Sequence, residues 1–556
     1  MRVPDILKEK IATALKVVGV AVVSRDISLE HPADLKNGDY SSGVALQYSK
    51  QAGIPAHSLA EKIAAALGEI PGIAKIEIAG PGFVNFYLAP DALADGIRTA
   101  VVEDMWGANL FQNGKTVLME YTDPNPFKEF HIGHLVPNAI GESISRLLQF
   151  SGADVKRANY QGDVGIHVAK SIFILLEKNI TGPTIADLSV AYPEGSKRYE
   201  EDPAAKEMID ALNKKIYDKS DPRVNDLYSK GRKLSLEHFE EIYKILGTKF
   251  DFYFFESETA PRGVEIVRAH PDIFPESDGA VIFRGEEYGL HTRVFLNKRG
   301  LPTYEAKELG LAQMKEEACA FDLTLTVTAN EQGEYFKVVM KAMEFALPEL
   351  RGKLAYKTHG LLRFAEGKMS SRTGNIIRGK DLIDDLAAAA RERAAESRAE
   401  DADKLAQDIA VAAIKYQILR QASHKDIIFD RERSLSLEGD SGPYLQYAHA
   451  RAQQVIVKAQ EQGIEPSVDA NIESNGLTRF LYRFPEAVEY AARELEPHLL
   501  TNYLLEVAAL FNSWYAQVHI LDGTSESTHK VAIVEAVRRT LKNGLWMLGI
   551  PTPEKM

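Results

Sequence analysis

The chain has 556 residues, too many for one hydrophobic core, so three or four domains are expected. Hydrophobic residues make up 45% and charged residues 26%, the balance of a soluble globular protein, and no apolar run approaches the roughly twenty residues of a membrane span. The lone cysteine, Cys319, excludes an internal disulfide and a multi-cysteine structural zinc site, and a net charge of −13 argues by itself against a nucleic-acid partner, although a large RNA needs only a local basic track. The N-terminus lacks the apolar segment of a signal peptide, so the expected compartment is the cytoplasm.

Residues 1–112 read as a separate α+β module. Ile6–Leu15 and Leu59–Leu67 have helical periodicity, Asn37-Gly38-Asp39-Tyr40 is a turn, and Ile76–Ile78 and Val84–Leu88 alternate as strands around a glycine turn. Val117–Met119 is a short buried strand, closed by Pro124 and Pro126. Ile140, Ile144, Leu147 and Leu148 mark a helix over Leu135–Phe150, and His131-Ile132-Gly133-His134 stands at its mouth. A helix start offers free N–H groups and a positive dipole end to phosphate, two imidazoles add donors, and Gly133 lets a flat ligand approach. Asp154–Tyr160 is the next strand, Gln161-Gly162-Asp163-Val164-Gly165 a turn, and Ile166–Glu177 a helix.

Residues 178 to about 255 form an insertion of charged helices, such as Ala204–Tyr217 and Asn225–Leu246, punctuated by Pro183, Pro193, Pro203 and Pro222. It ends at Phe254-Phe255-Glu256-Ser257. A strand over Thr292–Leu296 leads to a helix that carries Tyr304 and Glu308, four apart, on one face. Strand Leu323–Thr328 precedes Ala329-Asn330-Glu331-Gln332, then come a helix to about Ala346 and strand Lys353–Lys357. The loop Gly367-Lys368-Met369-Ser370-Ser371-Arg372-Thr373-Gly374-Asn375 follows. The remainder reads as helices over Leu382–Glu396, Asp401–Arg420, Pro443–Gln462, Leu477–Glu494, Pro497–Gln517 and Lys530–Leu548. Alternating strands and helices in the middle of the chain imply a doubly wound parallel sheet with ligands at the carboxyl ends of its strands.

Alone, His131 and His134 fit a solvated helix start or a stray metal site as well as a phosphate site. With the Lys368–Ser371 loop they resemble the HIGH and KMSKS signatures of class I aminoacyl-tRNA synthetases, and the neighbouring residues narrow this to arginyl-tRNA synthetases, from Met1 to Met556. The resemblance implies a multidomain α/β protein. Its parts are an N-terminal α+β tRNA-elbow-binding domain (1–112), a Rossmann-type parallel-sheet catalytic core (113–380, insertion about 178–255, KMSKS-like loop 367–375) and a C-terminal α-helical anticodon-binding bundle (381–556). The implied reaction is ATP-dependent activation of L-arginine and its transfer to the 3′ end of tRNA, with tRNA bound before activation. Mg²⁺ is expected with ATP, without a dedicated metal site; no zinc, DNA or membrane partner is expected, and the protein is expected to be a monomer.

By the same resemblance, His131, Gly133, His134, Gly162, Asp163, Gly165, Lys368, Met369, Ser370 and Ser371 bind ATP, with His131, His134, Lys368 and Lys128 catalytic. Glu120, Asp123, Pro124, Asn125, His134, Glu256, Tyr304, Glu308 and Gln332 form the arginine site, where carboxylates suit a guanidinium with five donors and a permanent charge. Phe83 and Asn85 are candidates for reading a D-loop base, and Tyr447, Arg451, Asn512, Trp514 and Tyr515 for the anticodon. The chain departs from the family pattern at Val164 (usually tryptophan), Glu308 (usually aspartate), Tyr335 (commonly histidine) and Ser371, which replaces the second lysine of KMSKS. Lys128, three residues before His131, can supply the missing charge, as can Arg372. Two other readings are a different class I synthetase and a catalytically silent tRNA-binding paralogue. The pocket carboxylates and missing zinc cysteines argue against the cysteine enzyme, and intact His131, His134 and Lys368 argue against the silent copy.

Overall fold

The computed structural model describes residues 2–365, 377–394, 399–468 and 474–556, and the chain divides into two compact units. One comprises Met1–Gly107, Arg451–Glu486 and Glu506–Asn543; the other comprises Ala108–Ala450, Ala487–Leu505 and Gly544–Met556.

The larger unit is built on a five-stranded sheet of β1 (Thr116–Glu120), β2 (Asp154–Gln161), β3 (Phe252–Phe255), β4 (Leu323–Ala329) and β5 (Leu354–His359). Their order is β5-β4-β1-β2-β3, and every pairing is parallel. The winding reverses between β1 and β4, so the crevice beyond their carboxyl ends is the switch point at which such sheets take ligands. The covering helices of the site are α1 (Ile132–Phe150), α2 (Ile166–Glu177), α3 (Ile185–Glu201), α4 (Pro203–Asp218), α5 (Pro222–Leu246), α6 (Glu256–Ala269), α7 (Tyr304–Ala318) and α8 (Gly333–Ala346). Leu118, Phe254, Leu309, Val338 and Val339 share one buried core. The strand expected over Thr292–Leu296 forms, as Arg293–Leu296, but pairs antiparallel with Ala280–Phe283 in a separate three-stranded sheet.

A second core joins the insertion to α2. Val164, Val168 and Ile172 pack with Leu188 of α3, Ile209 of α4 and Leu227 of α5. Helices α4 and α5 each begin at an Asp-Pro pair, Asp202-Pro203 and Asp221-Pro222. The carboxylate accepts from first-turn N–H groups, and proline occupies a position that needs no donor. Pro193 lies within α3 rather than between helices. Tertiary packing overrides its breaking tendency: α3 is pressed so closely on α2 that a Cβ at Gly195 would lie 2.3 Å from the Lys170 carbonyl oxygen.

At the rear of α1, Arg146 donates to Glu142 (2.7 Å) and to the carbonyls of Gly247 (2.7 Å) and Trp546 (2.9 Å). Buried Lys415, on the helix Ala402–Leu419, donates to the carbonyls of Leu246 (2.6 Å) and Gly549 (2.8 Å). Burial, helped by the charge of Arg146, pushes its amine down to about 7. Two cations thus collect carbonyls at helix ends, where the dipole favours positive charge.

In the smaller unit, Phe83–Leu88 is the centre strand of an antiparallel sheet, flanked by Tyr40–Ser42 and Ile73–Ala79. Asp39 accepts from the Leu88 N–H (2.8 Å) and from Arg479 on the helix Gly476–Tyr482. The continuous helix expected over Leu477–Glu494 is two helices, Gly476–Tyr482 and Phe484–Glu494. Pro485 opens the second, because it has no N–H to continue the first.

Candidate active site

The segment between β1 and α1 contains three non-glycine residues in left-handed backbone, Thr122 (φ 83°), Asp123 (φ 49°) and Phe127 (φ 65°). Each such conformation costs on the order of 1–3 kcal/mol and persists only where its surroundings hold it. Here they do. The Thr122 hydroxyl accepts from Asn138 of α1 (3.1 Å), and Asp123 accepts from the Tyr160 N–H of β2 (2.8 Å). The Phe127 N–H donates to Ser235 of α5 (3.0 Å), and its ring fills space over Gly231, where a Cβ would come within 2.3 Å of it. Pro124 is buried in the wall and Asn125 is half-buried.

His131 and His134 lock each other. The His131 ring accepts the Gly133 N–H at Nδ1 (3.0 Å), and His134 Nδ1 accepts the His131 N–H (3.1 Å), a capping box that leaves the rings stacked 3.8 Å apart. Since both Nδ1 atoms accept, each neutral ring carries its proton on Nε2. Burial lowers the pKa of both histidines, reinforced by the positive charge of Lys128, so both are neutral donors. The expectation of free N–H groups for phosphate needs correction. Ile132 donates to the Ile377 carbonyl (3.1 Å), Gly133 to the His131 ring, and His134 to the His131 carbonyl (2.9 Å). The donors presented at this helix mouth are the imidazoles. A Cβ at Gly133 would lie 2.7 Å from the His131 ring, so this glycine is needed for the cap itself.

The carboxylates gather beside it. Glu120 ends β1, Glu256 opens α6, and Glu308 lies one turn into α7. Buried Glu120 is paired with Lys315, and Glu256 with Lys307 (2.8 Å). Lys307 also sits 4.9 Å over the ring of Tyr304, which is otherwise exposed. Burial and the neighbouring Glu120 raise the Glu308 carboxyl to about 8, and the same two causes hold Asp123 well above its ordinary range. Tyr335, electrostatically coupled to Glu308, has a buried hydroxyl with no hydrogen-bond partner among the described residues. Gln332 closes a short 3₁₀ turn after β4 and is exposed.

Gly162 joins the two sides. Its N–H donates to Asn125 Oδ1 (2.9 Å), and a Cβ there would lie 2.5 Å from that oxygen and 3.3 Å from Glu256 Cδ. Gly165 has φ 129°, open to glycine alone, and caps α2. Asp163 is fully buried and its carboxylate is occupied by Tyr228 (3.0 Å), Arg232 (2.9 Å) and both the N–H (2.9 Å) and hydroxyl (2.8 Å) of Ser257. It ties the loop to α5 and α6. Val164 is buried in the insertion core.

Lys368, Met369, Ser370, Ser371 and Arg372 lie outside the described residues. The segment just after them is fixed: Arg378 bridges to His131, and the Gly379 N–H donates to the Phe130 carbonyl (2.7 Å). That stem of the lysine loop is thus stitched to the histidine motif.

Of the residues assigned to RNA, Phe83 is partly exposed, but Asn85 is only 3% exposed and accepts from Ser41 (2.7 Å). Asn85 therefore offers no exposed amide: it stands between Ser41 and Glu77 on the two flanking strands, and the Ser41 hydroxyl takes up its side-chain oxygen. Arg451 donates to Asn512 (2.5 Å) and stacks 5.0 Å over exposed Tyr515; Tyr447 and Trp514 are half-buried. Lys307, Lys315 and His167 were not anticipated. The His167 ring bonds the Gly162 carbonyl (2.8 Å), and burial, with Lys128 nearby, pushes its pKa down to about 3. Position after the glycine turn was the one signal pointing to it.

Comparison with known proteins agrees with this geometry. Residues 97–431 match the family described as tRNA synthetases class I (R), catalytic domain; residues 5–88 match the arginyl tRNA synthetase N terminal domain and residues 445–556 the DALR anticodon binding domain. The arginine–tRNA ligase of Clostridium perfringens is 30% identical over 95% of this chain and 96% of its own length, and that of Fusobacterium nucleatum 31% identical over 93% of each. The Thermus thermophilus arginyl-tRNA synthetase structure superposes with a TM-score of 0.82 at 26% identity, covering 99% of both chains. The chain belongs to the arginyl-tRNA synthetase family of class I aminoacyl-tRNA synthetases.

Proposed function

We propose that the chain is an arginine–tRNA ligase that consumes ATP, on the strength of one juxtaposition: an acidic pocket at the switch point beside two neutral, Nε2-protonated imidazoles. An arginine carboxylate oxygen attacks the α-phosphorus of ATP, the bond to the bridging oxygen breaks, and pyrophosphate leaves. A ribose hydroxyl at the tRNA 3′ end then attacks the carbonyl carbon and AMP departs. Positioning and charge stabilisation carry such a reaction. His131 and His134 donate to phosphate oxygens, and Lys128, with Lys368 from the loop, meets the charge growing on pyrophosphate. Glu308, Glu256 and Asp123 receive the guanidinium beside Tyr304 and Tyr335, while Asn125 and Gln332 are assigned to the amino and carboxylate groups. The backbone around Gly162 and Gly165 faces adenosine.

Among the described residues no cluster of three metal-binding side chains occurs, so Mg²⁺ would be held through the nucleotide phosphates. The N-terminal module and the C-terminal helices are read as grips on tRNA, and the enzyme as a cytoplasmic monomer; no described helix is long and apolar enough to cross a membrane. ATP–pyrophosphate exchange with each amino acid, with and without tRNA, tests the reading. Arginine-specific, tRNA-dependent exchange is expected, with lysine and citrulline feeble because neither forks a charge between two carboxylates. Equal exchange with another amino acid would overturn it.

A further inference from the structure

Lys128 is held by the insertion. Its N–H donates to the Asn125 carbonyl (3.1 Å), and its predecessor Phe127 is wedged against α5, stacked on Tyr228 at 6.3 Å. The side chain is half-buried and borders a cavity of 260 Å³ between α3 and α5. Its ammonium lies 5.3 Å from the ring centroid of Tyr192 on α3. Among the described residues it makes no ion pair and no side-chain hydrogen bond. A carboxylate in this place would neutralise the charge. An aromatic face attracts the cation while leaving its N–H donors open to phosphate oxygens.

We propose that Tyr192 is a positioning residue for Lys128: its ring steers the ammonium beside the histidine pair, so that the helical insertion aims the positive charge that Ser371 does not supply. The inference rests on the reading of Lys128 given above. Lysine has a flexible four-carbon stem, and without the ring the ammonium samples positions away from the phosphates.

Steady-state ATP–pyrophosphate exchange on the full chain, with arginine and tRNA present, tests it. Tyr192→Phe and Tyr192→Trp keep an aromatic face and should stay within about threefold of the parent. Tyr192→Leu and Tyr192→Met should lower kcat roughly 3- to 30-fold, leave the KM for arginine unchanged, and keep the parent melting temperature. Lys128→Ala should lower kcat roughly 10²–10³-fold, and adding Tyr192→Leu to it should do nothing more. If Tyr192→Leu matches Tyr192→Phe, or lowers the Lys128→Ala enzyme by the same factor as the parent, the ring does not act through Lys128 and the inference fails alone. A Lys128→Ala enzyme with near-normal exchange overturns the role of Lys128 and this inference together.

Discussion

At the mouth of α1, two imidazoles are oriented by hydrogen bonds spanning no more than three residues. The acidic pocket instead draws Glu120, Glu256 and Glu308 from three elements and balances them with Lys315 and Lys307. The imidazole pair is therefore orientated locally and kept neutral by burial, and the arginine side is a long-range balance of like charges. The first should tolerate distant change. The second should fail when one counter-charge is removed.

Lys315→Met breaks that balance most severely. It strands buried Glu120 next to Asp123 and Glu308, and losing one partner of a buried pair costs about 3–5 kcal/mol. Denaturant unfolding should show a loss of that size, with arginine binding weakened and ATP binding spared. Gly162→Ala strikes both sides, since the new methyl would press on Asn125 and Glu256 of the arginine site and shift the Gly162 backbone proposed to face adenosine. Overpacking of about 1–3 kcal/mol corresponds to a fall of roughly 5- to 150-fold in kcat/KM, measurable as a joint loss for arginine and ATP.

Proton linkage separates the sides further. Glu308, raised to about 8 by burial and Glu120, must ionise to face a guanidinium. The KM for arginine should therefore fall as pH rises from about 6.5 to 8, by at most about tenfold per unit, and level off above. Glu308→Gln should flatten the slope, and a slope unchanged in that variant would remove Glu308 as its source. For stability the sign is reversed: a carboxyl raised from 4.5 contributes stability below that value and loses it as pH rises through about 8. The smallest effect belongs to Tyr335→Phe. Removing a buried, unpartnered hydroxyl should leave the empty protein as stable or up to about 1 kcal/mol more so, while raising the arginine KM less than about tenfold.

The same contrast decides what the sequence made legible. Helix α2 has the predicted bounds, Ile166–Glu177, because a glycine cap and a dense apolar run coincide. The histidine motif is readable because its geometry closes within four residues. Even there the helix donors were misassigned, since the motif's own rings and the Ile377 carbonyl consume them. Lys307 and Lys315 have no local mark: their partners are 51 and roughly 200 residues away, and only the fold makes them counter-charges. The burial of Asn85 has no local mark either: its cross-strand neighbours, Ser41 and Glu77, come from separate strands that only the sheet brings beside it.

The bond from Arg146 to the Trp546 carbonyl spans 400 residues. A ribosome adds ~5–20 residues per second, so the partner follows the arginine by ~20–80 s. During synthesis the histidine-bearing helix therefore carries at its rear a guanidinium that can already pair with Glu142 but still lacks its last carbonyl, a timed exposure set by chain length rather than by stability.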